Sequence, residues 1–350
     1  MVLSFPKLTL NIAVRNEEKR IATLLTSIAN QTYPRSQLEV LIIDGMSIDK
    51  TLEIVKAFKE NYNIPIRIIK NPKKDSASGR TIGLLNATGD LHLYLDADME
   101  LAEPTTLVKL VNPFLKEKGI TGSFTRFLPH PRDPPLNRFL SYNPFQHDPM
   151  FEFLSTDIRS TIYKQGDGYF ICYFKEELVP VIGVIIFPTK LLKDTYFEIK
   201  KKWPNWMWSD VDFPITMVTK GYNKFAYVTN TGIYHHSYKN LPTLLRKKKR
   251  DTTWSYLSTY KQRYATYINL NSKRDIARLL AFVLYSESLF LPFLRGILKS
   301  FKYHDPYCIL YEPLLSWGIT NWILFLLILD PRGRKFIVEV MHSVLSRNLR

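Results

Sequence analysis

The sequence predicts an α/β fold, a mostly parallel sheet flanked by helices, followed by a C-terminal hydrophobic helical region. Three observations carry this. In the N-terminal part, short apolar runs alternate with longer stretches whose apolar residues recur at helical spacing. Polar and acidic residues follow the apolar runs, where an open α/β sheet gathers its ligands. After residue 276 the alternation gives way to long apolar runs.

Leu8–Val14 reads as the first strand and Arg15-Asn16-Glu17-Glu18 as the loop that leaves it. Ile21, Leu24, Leu25 and Ile28 set a helix within Glu18–Asn30, which Gln31-Thr32-Tyr33-Pro34 stops. Glu39–Ile43 is the second strand, and Asp49 is placed to cap a helix over Lys50–Glu60. Ile66–Lys70 is a third strand, Ser76–Leu85 a helix and Leu91–Leu95 a fourth strand. That strand ends in Asp96 and Asp98, two carboxylates suited to a hard divalent cation that also grips phosphate oxygens. Asn16, Asp44 and Asp96 are expected on one edge of the sheet.

From Thr121 to Tyr173, Pro129, Pro131, Pro134 and Pro135 break regular patterns, so the stretch reads as a long loop with aromatic anchors. Val181–Phe187 returns to a buried strand, with Gly183 permitting close backbone approach. A helix is expected to begin between Asp210 and Asp212, because Pro214 is tolerated only in a first turn. A strand at Lys224–Thr229 leads to His235 and His236, either of which is compatible with a metal ligand.

The chain of 350 residues carries a formal net charge of +16, which points to an anionic partner. No zinc spacing or RNA-recognition motif surrounds the basic run Arg246–Arg250, so no nucleic-acid partner is expected. That run reads as a solvated face, a phosphate grip or a juxtamembrane belt. Cys172 and Cys308 stand far apart and in no metal-ligand spacing, which argues against a disulfide framework and fits a reducing compartment. Pro6, Lys7 and Asn11 interrupt the N-terminal stretch, so no signal peptide is expected there. The first turn lacks Gly-x-Gly-x-x-Gly, which disfavours a Rossmann dehydrogenase.

Four blocks in order carry a resemblance: Asn16-Glu17-Glu18; Ile43-Asp44-Gly45-Met46-Ser47-Ile48-Asp49-Lys50-Thr51; Ser78-Gly79-Arg80-Thr81-Ile82-Gly83; and Asp96-Ala97-Asp98. Together the set resembles a family 2 glycosyltransferase of the nucleotide-sugar-binding GT-A fold. Met46 and Ile48 depart from the family's Val-Asp-Gly-Gly-Ser-Thr-Asp-Gly-Thr, and Thr81 from its Ala-Arg-Asn-x-Gly. Ser209-Asp210-Val211-Asp212-Phe213, followed by Gly221-Tyr222, is similar to the family's Glu-Asp-x-Asp-Leu with Gly-Tyr further on.

The resemblance implies roles. Asp44 would accept a hydrogen bond from the nucleobase, with Asn16 and Glu18 in the loop bordering that base. Arg80 would sit near the base or diphosphate and Asp96 against the ribose. Asp98 would bind Mn²⁺ or Mg²⁺ on the diphosphate, joined by His235 or His236, with His235 slightly favoured. Asp210 would be the catalytic base, and Asp212 a structural carboxylate.

The implied protein is an inverting, metal-dependent hexosyltransferase using a nucleotide-diphosphate sugar. The acceptor is expected to be a membrane lipid carrier such as polyprenyl phosphate, or a lipid-linked glycan. The alternatives are a soluble or glycan acceptor with only a membrane anchor, or a catalytically silent relative that binds nucleotide or membrane. The expected division is a catalytic domain over 1–240 (donor half 1–120, acceptor half 121–240), a basic linker or helical segment over 241–275, and a hydrophobic region over 276–350.

In that last region Asp275–Lys299 carries two apolar runs interrupted by Glu287 and Arg295. They are compatible with crossing a membrane, lying at its surface, or packing as core. Pro313–Leu329 has no charged residue and nears the lower length limit for spanning. Arg332, Arg334 and Lys335 would lie on the cytoplasmic side with the catalytic domain if the positive-inside bias applies. Lys299 and Lys302 count against two full crossings, leaving a shallow re-entrant pair.

Overall fold

The computed structural model describes residues 4–175, 182, 184–204, 208, 211–257 and 272–345. The chain forms two compact units, Met1–Leu128 with Thr156–His235, and Pro129–Ser155 with His236–Arg350. In chain order the elements begin β1 (Leu8–Val14), α1 (Ile21–Ala29), β2 (Leu38–Asp44), α2 (Thr51–Tyr62), β3 (Ile66–Lys70), α3 (Ser76–Asn86) and β4 (Leu91–Asp96). They continue as β5 (Met99–Leu101), α4 (Thr106–Lys116), β6 (Gly122–Leu128), α5 (Pro135–Ser141), α6 (Pro149–Leu154), β7 (Ile162–Gln165) and β8 (Tyr169–Tyr173). Next come β9 (Ile185–Pro188), α7 (Thr189–Lys202), α8 (Asp212–Val218) and β10 (Lys224–His235). The chain closes with α9 (Leu241–Arg250), α10 (Lys273–Glu287), α11 (Phe290–Tyr303), α12 (Tyr307–Leu329) and α13 (Pro331–Leu345).

The first unit holds one sheet, in the order β3-β2-β1-β4-β9-β6-β10-β8-β7, with β5 on β10. Strands β3, β2, β1 and β4 are mutually parallel, as the strand–helix alternation predicts. Their register sets Asp44 opposite Val14 and Asp96 opposite Ala13, so both acids flank the end of β1. Beyond β4 the sheet is mixed: β9 runs antiparallel to β4 and β6, and β8 antiparallel to β10 and β7, while β6 and β10 are parallel. Several of these strands come from Thr121–Tyr173, which the sequence reads as loop. Its prolines lie between β6 and α5, so they end one strand and start one helix without interrupting either. Pro135 is the first helical residue of α5, where its missing N–H costs nothing.

Local chemistry explains the helices that border the strand ends. Asp75 caps α3 by accepting the Ser78 N–H at 2.8 Å. Asp49 accepts the Thr51 N–H at 3.0 Å at the start of α2. Helix α3 lies tightly on β1 because Gly79 and Gly83, one turn apart, face it. A Cβ on Gly83 would stand 1.9 Å from Asn11 Oδ1, and one on Gly79 2.8 Å from the Ala13 Cβ. The main core of this unit is the row Leu8, Leu10 and Ile12 of β1 packed with Leu24, Leu25, Val40, Ile42, Leu93 and Leu95.

The second unit is helical. Leu136, Phe139 and Leu140 of α5 share a core with Leu244, Cys308, Leu315 and Ile319. Helices α10 and α11 meet at an 85° bend. Helix α12 is long and apolar enough to cross a membrane, and 28% of its most apolar stretch is buried. Its one charged residue, Glu312, is fully buried and meets Arg295 Nη1 at 2.9 Å and Lys299 Nζ at 2.8 Å. The basic run Arg246–Arg250 forms the second half of α9 and is not uniformly solvated. Lys248 is paired with buried Asp148, and Lys247 donates to Ser237 Oγ, leaving Arg246, Lys249 and Arg250 exposed. Val181, Gly183, Ser209 and Asp210 lie outside the described residues.

Candidate active site

The parallel strands deliver acids to one edge of the first unit. Asp44 ends β2, is buried, and accepts the Ser47 N–H at 3.1 Å. That bond turns the chain back, with Met46 in the left-handed region at φ 60°. The loop after β1 knits to this turn through reciprocal bonds. Asn16 N–H donates to Ser47 Oγ at 3.0 Å, and Asn16 Oδ1 accepts the Ile48 N–H at 3.0 Å. Glu18 N–H donates to Asp49 Oδ2 and Glu18 Oε2 accepts the Lys50 N–H, both at 3.2 Å. Asn16 and Glu18 thus brace a two-loop wall beside Asp44.

On the other side of β1, Asp96 closes β4. Its Oδ1 accepts from Tyr94 OH at 2.5 Å and lies 3.3 Å from Arg80 Nη2. The Arg80 guanidinium also covers the Tyr94 ring at 3.9 Å, so α3 carries its arginine onto the strand end. Burial pushes the Tyr94 phenol well above its usual range, and the Asp96 charge adds to it, so Tyr94 donates here.

Asp98 sits in the turn between β4 and β5. Strand β5 pairs antiparallel with β10, Met99 opposite His235, and this pairing is what brings a residue distant in sequence to the acid. His235 Nε2 lies 3.4 Å from Asp98 Oδ1. His236, the alternative, turns away to Asp133 at 2.6 Å. Asp96, Asp98 and His235 each bring a ligand atom within 4.8 Å of the others, a group that could hold a metal ion. Two carboxylates and one imidazole suit a hard to borderline divalent ion of the Mn²⁺ or Mg²⁺ kind.

One neighbour escaped the sequence reading. Arg20 Nη1 lies 3.6 Å from Asp98 Oδ2 and 3.5 Å from Glu17 Oε2. Burial holds the Glu17 carboxyl above its ordinary range; Arg20 opposes this, and Asp98, Asp96 and Asp49 add to it. No motif marks Arg20, whose place follows only from α1 starting beside the β4–β5 turn. Of the second Asp-x-Asp, Asp212 is buried at the start of α8, as expected, while Asp210 lies outside the described residues.

Residues 9–167 match the family model "Glycosyl transferase family 2". A poly(ribitol-phosphate) beta-N-acetylglucosaminyltransferase, TarS, of Staphylococcus aureus is 30% identical over 92 residues, 26% of this chain and 16% of its own. A dolichyl N-acetyl-alpha-D-glucosaminyl phosphate 3-beta-D-2,3-diacetamido-2,3-dideoxy-beta-D-glucuronosyltransferase of Methanococcus voltae is 39% identical over 83 residues, 23% of this chain and 26% of its own. Glycosyltransferase AglE of Haloferax volcanii is 33% identical over 98 residues, covering 28% and 32%. The chain therefore spans between 16% and 32% of the length of these relatives. Among solved structures, the mannosyltransferase PcManGT of Pyrobaculum calidifontis, in complex with GDP-Man and Mn²⁺, aligns with TM-score 0.48 at 14% identity, covering 98% of this chain and 86% of that one. Residues 9–167 thus resemble glycosyltransferase family 2.

Proposed function

We propose that this protein transfers a sugar, with inversion, from a nucleotide-diphosphate sugar to a lipid-linked acceptor at a membrane. The observation that carries the reading is the donor set Asp96, Asp98 and His235 at the carboxyl edge of parallel strands, beside the two-loop wall around Asp44. Asp98 and His235, with Asp96 at hand, would hold Mn²⁺ or Mg²⁺, which when bound offsets charge on the departing diphosphate. Asp44 accepts a base N–H, and the wall that Asn16 and Glu18 brace borders the base. Asp96 meets the ribose, and Arg80, fixed by Tyr94, faces the diphosphate. Asp210 takes the acceptor hydroxyl proton while that oxygen attacks the anomeric carbon from the face opposite the nucleotide. An acceptor phosphate that is already ionised would need Asp210 for positioning only. In this reading the first unit does the chemistry on the cytoplasmic side and the second attaches the protein to the bilayer.

The lipid-linked acceptor draws support from the Methanococcus voltae relative, whose name specifies a dolichyl-linked substrate. Within the second unit, an apolar groove of about 480 Å³ between α9 and α12, lined by Leu241, Leu245, Trp317, Trp322 and Phe325, suits an isoprenoid or acyl chain. Arg246, Lys249 and Arg250 on the same helix suit its anionic head. The Staphylococcus aureus relative, named for poly(ribitol phosphate), favours a second reading in which the acceptor is a polymer and the helices only anchor.

The test is a panel of nucleotide sugars offered with Mn²⁺ and either membrane lipid extract or polymer. One donor should be consumed, with the sugar recovered on extracted lipid. Asp210→Asn should lower that turnover about 10²–10⁴-fold with donor affinity nearly unchanged. No donor consumed with either acceptor class would remove the reading, and sugar recovered on polymer alone would replace the lipid acceptor.

A further inference from the structure

Within the second unit, His130, Asp133 and His236 bring one ligand atom each to within 4.8 Å of one another. Asp133 is only 7% exposed. Its carboxylate accepts from Asn137 Nδ2 at 2.7 Å and stands 2.6 Å from His236 Nδ1. Arg138 reaches only its backbone carbonyl, at 2.9 Å. Among the described residues, the ionic partner of this buried carboxylate is therefore an imidazole, a cation only when protonated. A buried carboxylate calls for a compensating positive charge.

The surroundings are built to hold the three side chains in place. His130 and Asp133 each precede a proline, which restricts them to extended backbone and stiffens the loop. Asn137 donates to Asp133, and its Oδ1 accepts the Tyr238 N–H at 2.9 Å, tying that loop to the segment just after His236. The His130 ring stands edge-on to His236, with centroids 5.3 Å apart. Outer hydrogen bonds of this kind orient metal ligands.

We infer that His130, Asp133 and His236 form a second divalent-cation site, one that takes Zn²⁺ in preference to Mg²⁺ and clasps the Pro129–Asp133 loop to His236. Two imidazoles and one carboxylate are a softer set than Asp96, Asp98 and His235, so the two sites separate by metal. On loading, the proton shared by Asp133 and His236 leaves to solvent. The site stands whether or not the protein transfers sugars.

The test uses the full-length chain, stripped with chelator, reloaded with Zn²⁺ in a large excess of Mg²⁺, desalted and analysed for metal. Wild type and Asp98→Ala should each keep one equivalent of Zn²⁺. His130→Ala and Asp133→Asn should weaken its binding by at least about 10–100-fold. Zn²⁺ should also raise the thermal unfolding temperature of wild type but not of His130→Ala. Because a change at buried Asp133 can disturb folding by itself, the half-buried His130 decides, with circular dichroism reporting that the variant is folded. No retained Zn²⁺ in wild type, retention abolished by Asp98→Ala, or retention unchanged in His130→Ala would each overturn the site.

Discussion

Met46 sits at φ 60°, a position costing an L-residue with a side chain roughly 1–2 kcal/mol, and the family pattern has glycine there. Its side chain is 42% exposed and contributes little packing. Met46→Gly should therefore be neutral or stabilising by up to about 1 kcal/mol, the greater freedom of unfolded glycine offsetting part of the relief. Met46→Val, β-branched, should destabilise; thermal unfolding of both variants checks the sign. The ligand set makes a sharper prediction. Nucleotide diphosphate should bind more tightly with Mn²⁺ than with chelator, and Asp98→Ala should remove that difference; calorimetry showing metal-independent binding in wild type would falsify the role given to Asp98. Much of this site was legible in the sequence, because acids at strand ends are recognisable by short-range pattern. Arg20 was not, since its approach to Asp98 depends on how α1 packs, and the pairing of His235 rather than His236 depends on the β5–β10 register.

Strand β4 ends in Asp96 and carries, deeper in the sheet, a fully buried histidine. His92 is 1% exposed and contacts Asn11 Nδ2 at 3.3 Å. Burial, with the Lys193 charge behind it, lowers its pKa to about 3. The unfolded chain, with a histidine near 6.5, takes up the proton first, so this group leaves stability unaffected above pH 6.5 and erodes it as pH falls from there toward 3. The loss is at most about 1.4 kcal/mol per pH unit. Hydrogen exchange of the β4 amides, corrected for intrinsic rate, should show the strand opening more easily at pH 5 than at pH 7. His92→Gln should flatten that difference, and an unchanged difference would assign it to carboxylates instead. Elements of this parallel half were readable because apolar runs and helical spacing alternate there without interruption. Strands β6, β7 and β8 were not, because the proline cluster between β6 and α5 dominates the pattern around it and the β10 partner of β6 and β8 lies far along the chain.

Across the whole molecule, the apolar surface of the second unit decides between a membrane and a soluble assembly. Leu284, Leu298 and Phe301 are 73%, 70% and 75% exposed, and Phe290 and Leu329 add to them. On α11 the opposite face is buried at Pro292 and Gly296, and Lys299 turns inward to Glu152 and Glu312. The helix is therefore amphipathic, with its apolar face outward, the arrangement of a helix lying in a bilayer interface. Deleting the last helices would be a poor test, because Cys308, Leu315 and Ile319 of α12 belong to the same core as Leu136 and Leu244. Changing exposed side chains avoids that difficulty. Burying one Leu or Phe in lipid contributes about 1.5–3 kcal/mol, so Leu298→Glu with Phe301→Glu should weaken membrane partition by at least about 10²-fold. Full-length protein should sediment with membranes at physiological salt, and this double variant should move to the supernatant while remaining folded. Light scattering provides the contrary outcome. If wild type stays in the supernatant without detergent as a dimer, and the double variant is a monomer, then a second copy covers this face and the lipid acceptor loses its main support.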